Sequence, residues 1–199
     1  SYGPGEIDTL VEGEMGGFLN AYTSKDQTAY YFFSLNPDAL EQIIGICGEM
    51  VFKASLAHEE FDGKSTKNPD GAVTKNKGER DVVIEEILRA NDSINNQNWD
   101  LLFEQAYPEQ ASGRPILGTE DTLRAMTVQM LAAYRDEFYV PNNVVFSAAG
   151  PIKHEDFVAL IEKKFGAMPA KKFPPLPTPA YKGGTAFIEM ESAQLCSIA

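Results

Sequence analysis

The stretch from residue 18 to residue 53 constrains this chain more tightly than any other. Residues 18–24 and 27–35 are rich in aromatic, Thr and Ala side chains, and the polar pair Lys25-Asp26 separates them, which is the pattern of a β-hairpin. Asn36-Pro37 follows at once, an N-cap residue and a first-turn proline. Leu40, Ile43, Ile44, Cys47, Met50 and Val51 then recur on one helical face up to about Lys53. A hairpin running directly into an amphipathic helix commits the chain to a mixed class. Residues 28–33 have little polar alternation, which predicts a strand covered on both faces.

The remaining elements extend the same theme. Pro4-Gly5 opens a helical stretch marked by Ile7, Leu10 and Val11, and Gly16-Gly17 ends it. Residues 62–78 hold glycines, a proline and four lysines with almost nothing apolar, as expected of a flexible surface insertion. A helix carrying Glu79 and Glu86 follows, then a second around Trp99, Leu102 and Phe103. Further helices are expected at residues 120–126, around Met130, Leu131, Tyr134 and Phe138, and from Phe157 to Phe165. Residues 144–149 read as a buried-type strand, and 185–190 and 194–199 as two more. Five prolines between Pro169 and Pro179 predict a stiff linker. The order predicts an α+β fold, a largely antiparallel β-sheet packed against several α-helices.

Composition narrows the function. With 29 acidic residues against 17 basic, the net charge of −12 argues against nucleic-acid binding and would attract cationic peptides. No apolar run is long enough to span a membrane. Cys47 and Cys196 read as buried thiols rather than as a disulfide scaffold or metal knuckle. His58 and His154 each lack a second histidine at helical spacing, and there is neither a Gly-x-Ser-x-Gly elbow nor a phosphate-binding loop. What remains is a pair of carboxylates, Glu79 and Glu86, seven residues apart and so two turns apart on one side of a helix. Carboxylates of this kind usually just face water.

Four motifs give the pair a context. The run from Gly16-Gly17 through Asn20-Ala21-Tyr22-Thr23-Ser24 to Thr28 and Tyr30 resembles the opening signature of the insulinase-like zinc peptidases, a family that includes pitrilysin and the mitochondrial processing peptidases. Glu79-Arg80-x-x-Val83-x-x-Glu86 looks like its acidic motif, and Gly113-Arg114-Pro115-Ile116-Leu117-Gly118 like its Gly-Arg-x-Ile-Leu-Gly segment. Tyr139-Val140-Pro141-Asn142-Asn143, followed by Ala149-Gly150, is similar to a fourth, with Pro151 where the family usually has Asp.

The resemblance implies one half of a processing-peptidase-like clamshell and a Zn2+ cofactor. The metal would be held by two histidines of a His-x-x-Glu-His motif and by a distant glutamate matched by Glu86, with Glu79 as the catalytic site's supporting acid. That histidine motif is absent from these residues and is expected a few residues before Ser1; the interval from there to Glu86 exceeds the family's, and removing an insertion of about 15 residues between Asp62 and Gly78 restores it. Asn20, Ala21, Tyr22 and Thr23 would form an edge strand to which a substrate peptide adds by β-augmentation, and Asp100 would meet basic substrate side chains, although Asn96 departs from the pattern. The implied domains are 1–168, a peptidase-like domain with the insertion at 62–78, then a linker at 169–182 and the start of a second homologous half at 183–199. Partners would be a peptide substrate and a second homologous half or subunit, as homodimer or heterodimer, in a bacterial cytoplasm or periplasm. The alternative is a non-catalytic half that pairs with an active one and helps bind peptide; a third is a plain α+β interaction module.

Overall fold

Helix α1 (Glu6–Asp8) widens into a π-helical turn over Thr9–Glu14. The chain leaves this turn through Gly16 at φ 58°, a left-handed conformation that a side chain would resist. The computed structural model describes residues 5–68, 70, 73–172 and 175–187. Contacts divide the chain into two units, one of Ser1–Thr23, Gln27–Ser55 and Gln129–Pro174, the other of Ser24–Asp26, Leu56–Val128 and Pro175–Ala199.

In the first unit, strands β1 (Gly17–Thr23) and β2 (Thr28–Ser34) pair antiparallel, with Gly17 opposite Ser34 and Thr23 opposite Thr28. The pleat sends Leu19 and Phe32 toward a core of Val11, Met15, Ala39, Ile43 and Ile46. On the other face Phe18, Tyr22, Tyr31 and Phe33 are each about half exposed. The expectation that residues 28–33 are covered on both faces is therefore corrected: period-two burial wins because only one face meets the helical layer among the described residues.

The side chain of Asn36 accepts the Asp38 N–H at 3.0 Å and starts a 3-10 turn (Pro37–Ala39) that runs into α2 (Leu40–Phe52). Ile46 is fully buried. Against α2 lies α8 (His154–Phe165), close enough at Gly48 that a Cβ there would stand 2.3 Å from the Phe165 ring. Helix α7 (Val128–Phe138) is tied in by Arg135, whose Nη1 donates to the Ala54 carbonyl at 2.9 Å. Burial pushes the Tyr30 hydroxyl up to about 12, with Tyr139 beside it adding to the shift.

Residues 144–149 are not a strand, and Val145 is 91% exposed. An apolar run favours extended backbone, but a strand needs a neighbour for its ladder, and none pairs with it among the described residues. Phe146 is held instead by stacking on Phe165, ring centroids 5.1 Å apart.

In the second unit, α3 (His58–Asp62) precedes a hairpin of β3 (Ser65–Lys67) and β4 (Val73–Lys75), so the Lys-rich stretch has regular structure of its own. Its neck closes on two glycines: a Cβ on Gly63 would lie 2.1 Å from the Asn76 carbonyl oxygen, and one on Gly78 2.2 Å from the Gly63 nitrogen. Then come α4 (Glu79–Asn91), α5 (Ile94–Ala106) and α6 (Glu120–Ala125). Ile84 and Ile87 of α4 are buried with Leu123 of α6, flanked by Val83 and Met126. Residues 175–187 are irregular, so the strand expected from residue 185 does not begin there; 188–190 and 194–199 lie outside the described residues. Gln110 clasps that segment, its amide donating to the Ala180 carbonyl at 2.9 Å and accepting the Ala180 N–H at 2.7 Å. The fold is α+β with antiparallel strands, and among the described residues the strands form two separate pairs rather than one sheet.

Candidate functional site

Helix α4 begins at Glu79 with the Gly78 carbonyl accepting the N–H groups of Asp81 and Val82. Arg80 fixes its first turn. One guanidinium nitrogen of Arg80 lies 2.6 Å from the Asp62 carboxylate, another donates to the Met126 carbonyl at 2.6 Å, and the group covers the Phe61 ring at 4.5 Å. Arg80, Ile84 and Ile87 form one stripe at helical spacing and turn inward together. Glu79 and Glu86 each precede a member of that stripe, so they project about 100° away from it. Both are exposed.

Neighbouring charges are engaged, since Lys77 pairs with Glu85 and Arg80 with Asp62. Among the described residues neither the Glu79 nor the Glu86 side chain has a hydrogen bond or an ion pair. Seven residues of rise separate them by roughly 10 Å along the axis, so a metal held at carboxylate distance by one leaves the other standing off.

A zinc ion takes four nitrogen, sulfur or oxygen donors. Glu86 offers a free oxygen donor of the right kind for one position. His58 faces Asp62 across 3.7 Å on α3, and His154 opens α8 in the other unit. No group of three or more His, Cys, Asp or Glu side chains converges on a point among the described residues. Those residues therefore fit part of a zinc site.

Asn20, Ala21, Tyr22 and Thr23 are exposed on β1, whose only pairing partner among the described residues is β2. The Ala21 N–H is taken internally by the side-chain Oδ1 of Asn20 at 2.8 Å. Tyr22 accepts from Gln27 at 3.1 Å, and the Thr23 and Thr28 hydroxyls meet at 3.3 Å. These four residues belong to the first unit, while Glu79, Glu86 and Asp100 belong to the second. Asp100, on α5, has a contact that spacing did not reveal: Lys25 Nζ stands 3.9 Å from its carboxylate, 4.9 Å from the centre of the Phe103 ring, and donates to the Arg114 carbonyl. Positions 25, 100 and 114 share no periodicity, so no local pattern could have joined them.

Burial pushes the Cys47 thiol up to about 12, which makes it an inert side chain of α2. No helix among the described residues is long and apolar enough to cross a membrane.

Residues 4–96 match the family described as Insulinase (Peptidase family M16), and residues 125–199 match Peptidase M16 inactive domain. An uncharacterized zinc protease of Bacillus subtilis, YmxG, is 35% identical over 185 residues, covering 92% of this chain and 41% of the relative. The beta subunit of the mitochondrial-processing peptidase of Dictyostelium discoideum is 30% identical over 169 residues, covering 81% of this chain and 31% of the subunit. The crystal structure of the first half of the periplasmic protease PqqL from Escherichia coli superposes with a TM-score of 0.65 at 25% identity, covering 89% of this chain and 35% of that one. The chain spans less than half the length of the relatives it matches.

Proposed function

The chain belongs to the M16 insulinase family of peptidases, and from that premise we propose that the whole protein is a zinc metalloendopeptidase acting on peptides or unfolded polypeptide segments. In this reading Glu86 is the distal metal ligand, Glu79 its supporting acid, and two histidines from outside these 199 residues complete the site. The observation that carries it is the pair itself: two carboxylates on one side of α4 without partners among the described residues, on a helix whose other face is fixed by Arg80, Ile84 and Ile87. Bound zinc would supply an acidified water, pKa about 7, for attack on a peptide carbonyl.

The chain's own residues would hold the substrate. An extended peptide adds to the open edge of β1 through main-chain hydrogen bonds, and Asn20 must release the Ala21 N–H where that group is needed. A second homologous half or subunit encloses the peptide, residues 169–182 serve as the linker and residues 183–199 begin that half. The periplasmic location printed for PqqL supports a periplasmic setting over a cytoplasmic one.

The match of residues 125–199 to a domain described as inactive supports a second reading, a non-catalytic half that pairs with an active one and helps hold peptide. Zinc content after chelation and dialysis separates the two. The enzyme reading expects about one zinc per whole protein and hydrolysis of an unfolded peptide, both lost in Glu86→Gln; a whole protein that keeps no zinc belongs to the second reading. The 199-residue segment alone is expected to hold no zinc tightly and to cleave nothing.

A further inference from the structure

Helix α4 is held in two places by different means. Ile84 and Ile87, 8% and 6% exposed, bury its middle, and Glu86 lies between them in the chain, so apolar packing places that carboxylate. Glu79 has no such support. It is the first residue of the helix, more than a turn ahead of Ile84, where a helix frays unless something pins it.

The residue beside it is pinned three times. Arg80 reaches Asp62 at 2.6 Å through Nη1 and the Met126 carbonyl at 2.6 Å through Nη2, and its guanidinium covers the Phe61 ring at 4.5 Å. Two forked bonds and a stacked face fix a planar group in both place and orientation. Asp62 ends α3 and Gly78 directly precedes α4, so both sides of the neck of the β3–β4 hairpin take part. The neck is tight, since a Cβ on Gly78 would lie 2.5 Å from the Phe61 carbonyl oxygen.

This arrangement is a poor stabiliser. Arg80 Nε is buried without a hydrogen-bond partner among the described residues, and a partly buried ion pair gives up in desolvation much of what it gains in attraction. Direction is what a forked, stacked guanidinium does supply. We propose that Arg80 is the positioning residue for Glu79, with Asp62 as its counter-ion: the hairpin neck, through this clamp, sets where the supporting acid stands, while the isoleucine stripe sets where the metal ligand stands. The roles of acid and ligand rest on the peptidase reading above; the clamp itself does not. The two carboxylates are then separable, and loosening the clamp displaces Glu79 while Glu86 keeps its place.

Two measurements on the whole protein test this. In the first, amide hydrogen exchange is followed by mass spectrometry in peptides covering residues 79–84 and 85–91. Arg80→Leu is expected to speed exchange in 79–84, where the Asp81 and Val82 N–H groups bond the Gly78 carbonyl, by about fivefold or more, and to leave 85–91 unchanged. Asp62→Asn, at a partly exposed position, is expected to do the same to a smaller extent. Unchanged rates in 79–84, or equal acceleration along the whole helix, overturn the clamp. In the second, zinc content and kcat/KM for an unfolded peptide are compared in a double-mutant cycle. Arg80→Leu is expected to keep about one zinc and to lower kcat/KM roughly tenfold to a hundredfold, and to cause no further loss once Glu79→Gln is present. Loss of the zinc, an unchanged kcat/KM, or losses that multiply with those of Glu79→Gln overturn the positioning role. A whole protein that holds no zinc and cleaves no peptide defeats the peptidase reading and the role of Glu79 with it, and the exchange experiment still decides the clamp.

Discussion

Helices α2 and α4 are both 13 residues long and both amphipathic, yet they treat their charges differently. Helix α2 buries Ile43, Ile44, Ile46 and Gly48, and its exposed Glu41 accepts from Lys163 at 3.0 Å with Lys164 at 3.7 Å. Helix α4 buries only Ile84 and Ile87, engages Arg80 and Glu85, and leaves the Glu79 and Glu86 side chains without partners among the described residues. One helix commits nearly all its surface to stability. The other holds itself with a narrow stripe and keeps two carboxylates available, which is where a site belongs on a scaffold.

The harshest way to break this contrast is to charge the fully buried side of α2. Ile46→Asp puts an unpaired carboxylate where the native residue has no exposure, and the first unit is expected not to fold, read as loss of the cooperative thermal transition. Ile46→Ala is the graded version. It should cost about 3–5 kcal/mol in denaturant unfolding, against about 2–3 kcal/mol for Ile87→Ala, which belongs to a smaller cluster. Equal costs would mean that α4 is as deeply committed to a core as α2.

Gly48→Ala tests how closely α2 and α8 pack. The added Cβ would meet the Phe165 ring at 2.3 and 2.5 Å, and the ring is also held by Phe52 and by stacking with Phe146. Helix propensity favours Ala, but the clash should win and leave a net loss of about 1–3 kcal/mol. A gain in stability would show that Phe165 has room to move.

These comparisons also mark what the sequence could disclose. Helix α2 was legible because its start signal, its apolar period and its hairpin neighbour all agree on one answer. The glutamate pair was legible as a helical interval, and its meaning came from four motifs rather than from the interval. Residues 144–149 misled because apolar composition reports burial or extension, whereas a strand requires a partner that composition does not name. Arg80 reaching Asp62 and Met126, and Lys25 reaching Asp100, join positions far apart in the chain. Contacts of that kind follow from the packed fold and have no local pattern.

Cys47 offers a pH test of the buried side of α2. Its thiol ionises near 9.0 when unfolded and at about 12 when folded, because burial disfavours the thiolate. A group raised in the folded state contributes stability that is complete below the unfolded value and is lost as pH climbs from about 9 toward 12. Tyr30, also raised to about 12, acts in the same direction from its own unfolded value of 10.0. The wild type should therefore lose about 1 kcal/mol more than Cys47→Ala between pH 8 and pH 10, measured by urea unfolding. Parallel curves would mean that Cys47 is wetter than its place on α2 implies.

The smallest effect is the one that separates the two helices most directly. The hydrogen bond from Lys163, and then the charges of Lys163 and Lys164, hold the Glu41 carboxyl below its usual range. A lowered carboxylate contributes stability that is present above its unfolded pKa of about 4.5 and is lost as pH falls through its folded one. Glu41 is fully exposed, so Glu41→Gln should lower the melting temperature at pH 7 by no more than about 2 °C, and about 1 M salt should erase the difference. Glu86 has no such partner among the described residues, so Glu86→Gln in the metal-free protein should leave the melting temperature where it was at either salt concentration. A loss in the Glu86 variant as large as in the Glu41 variant would mean that α4 uses its carboxylate to hold the fold, and Glu86 would then be a poor candidate for a group held in readiness for a metal.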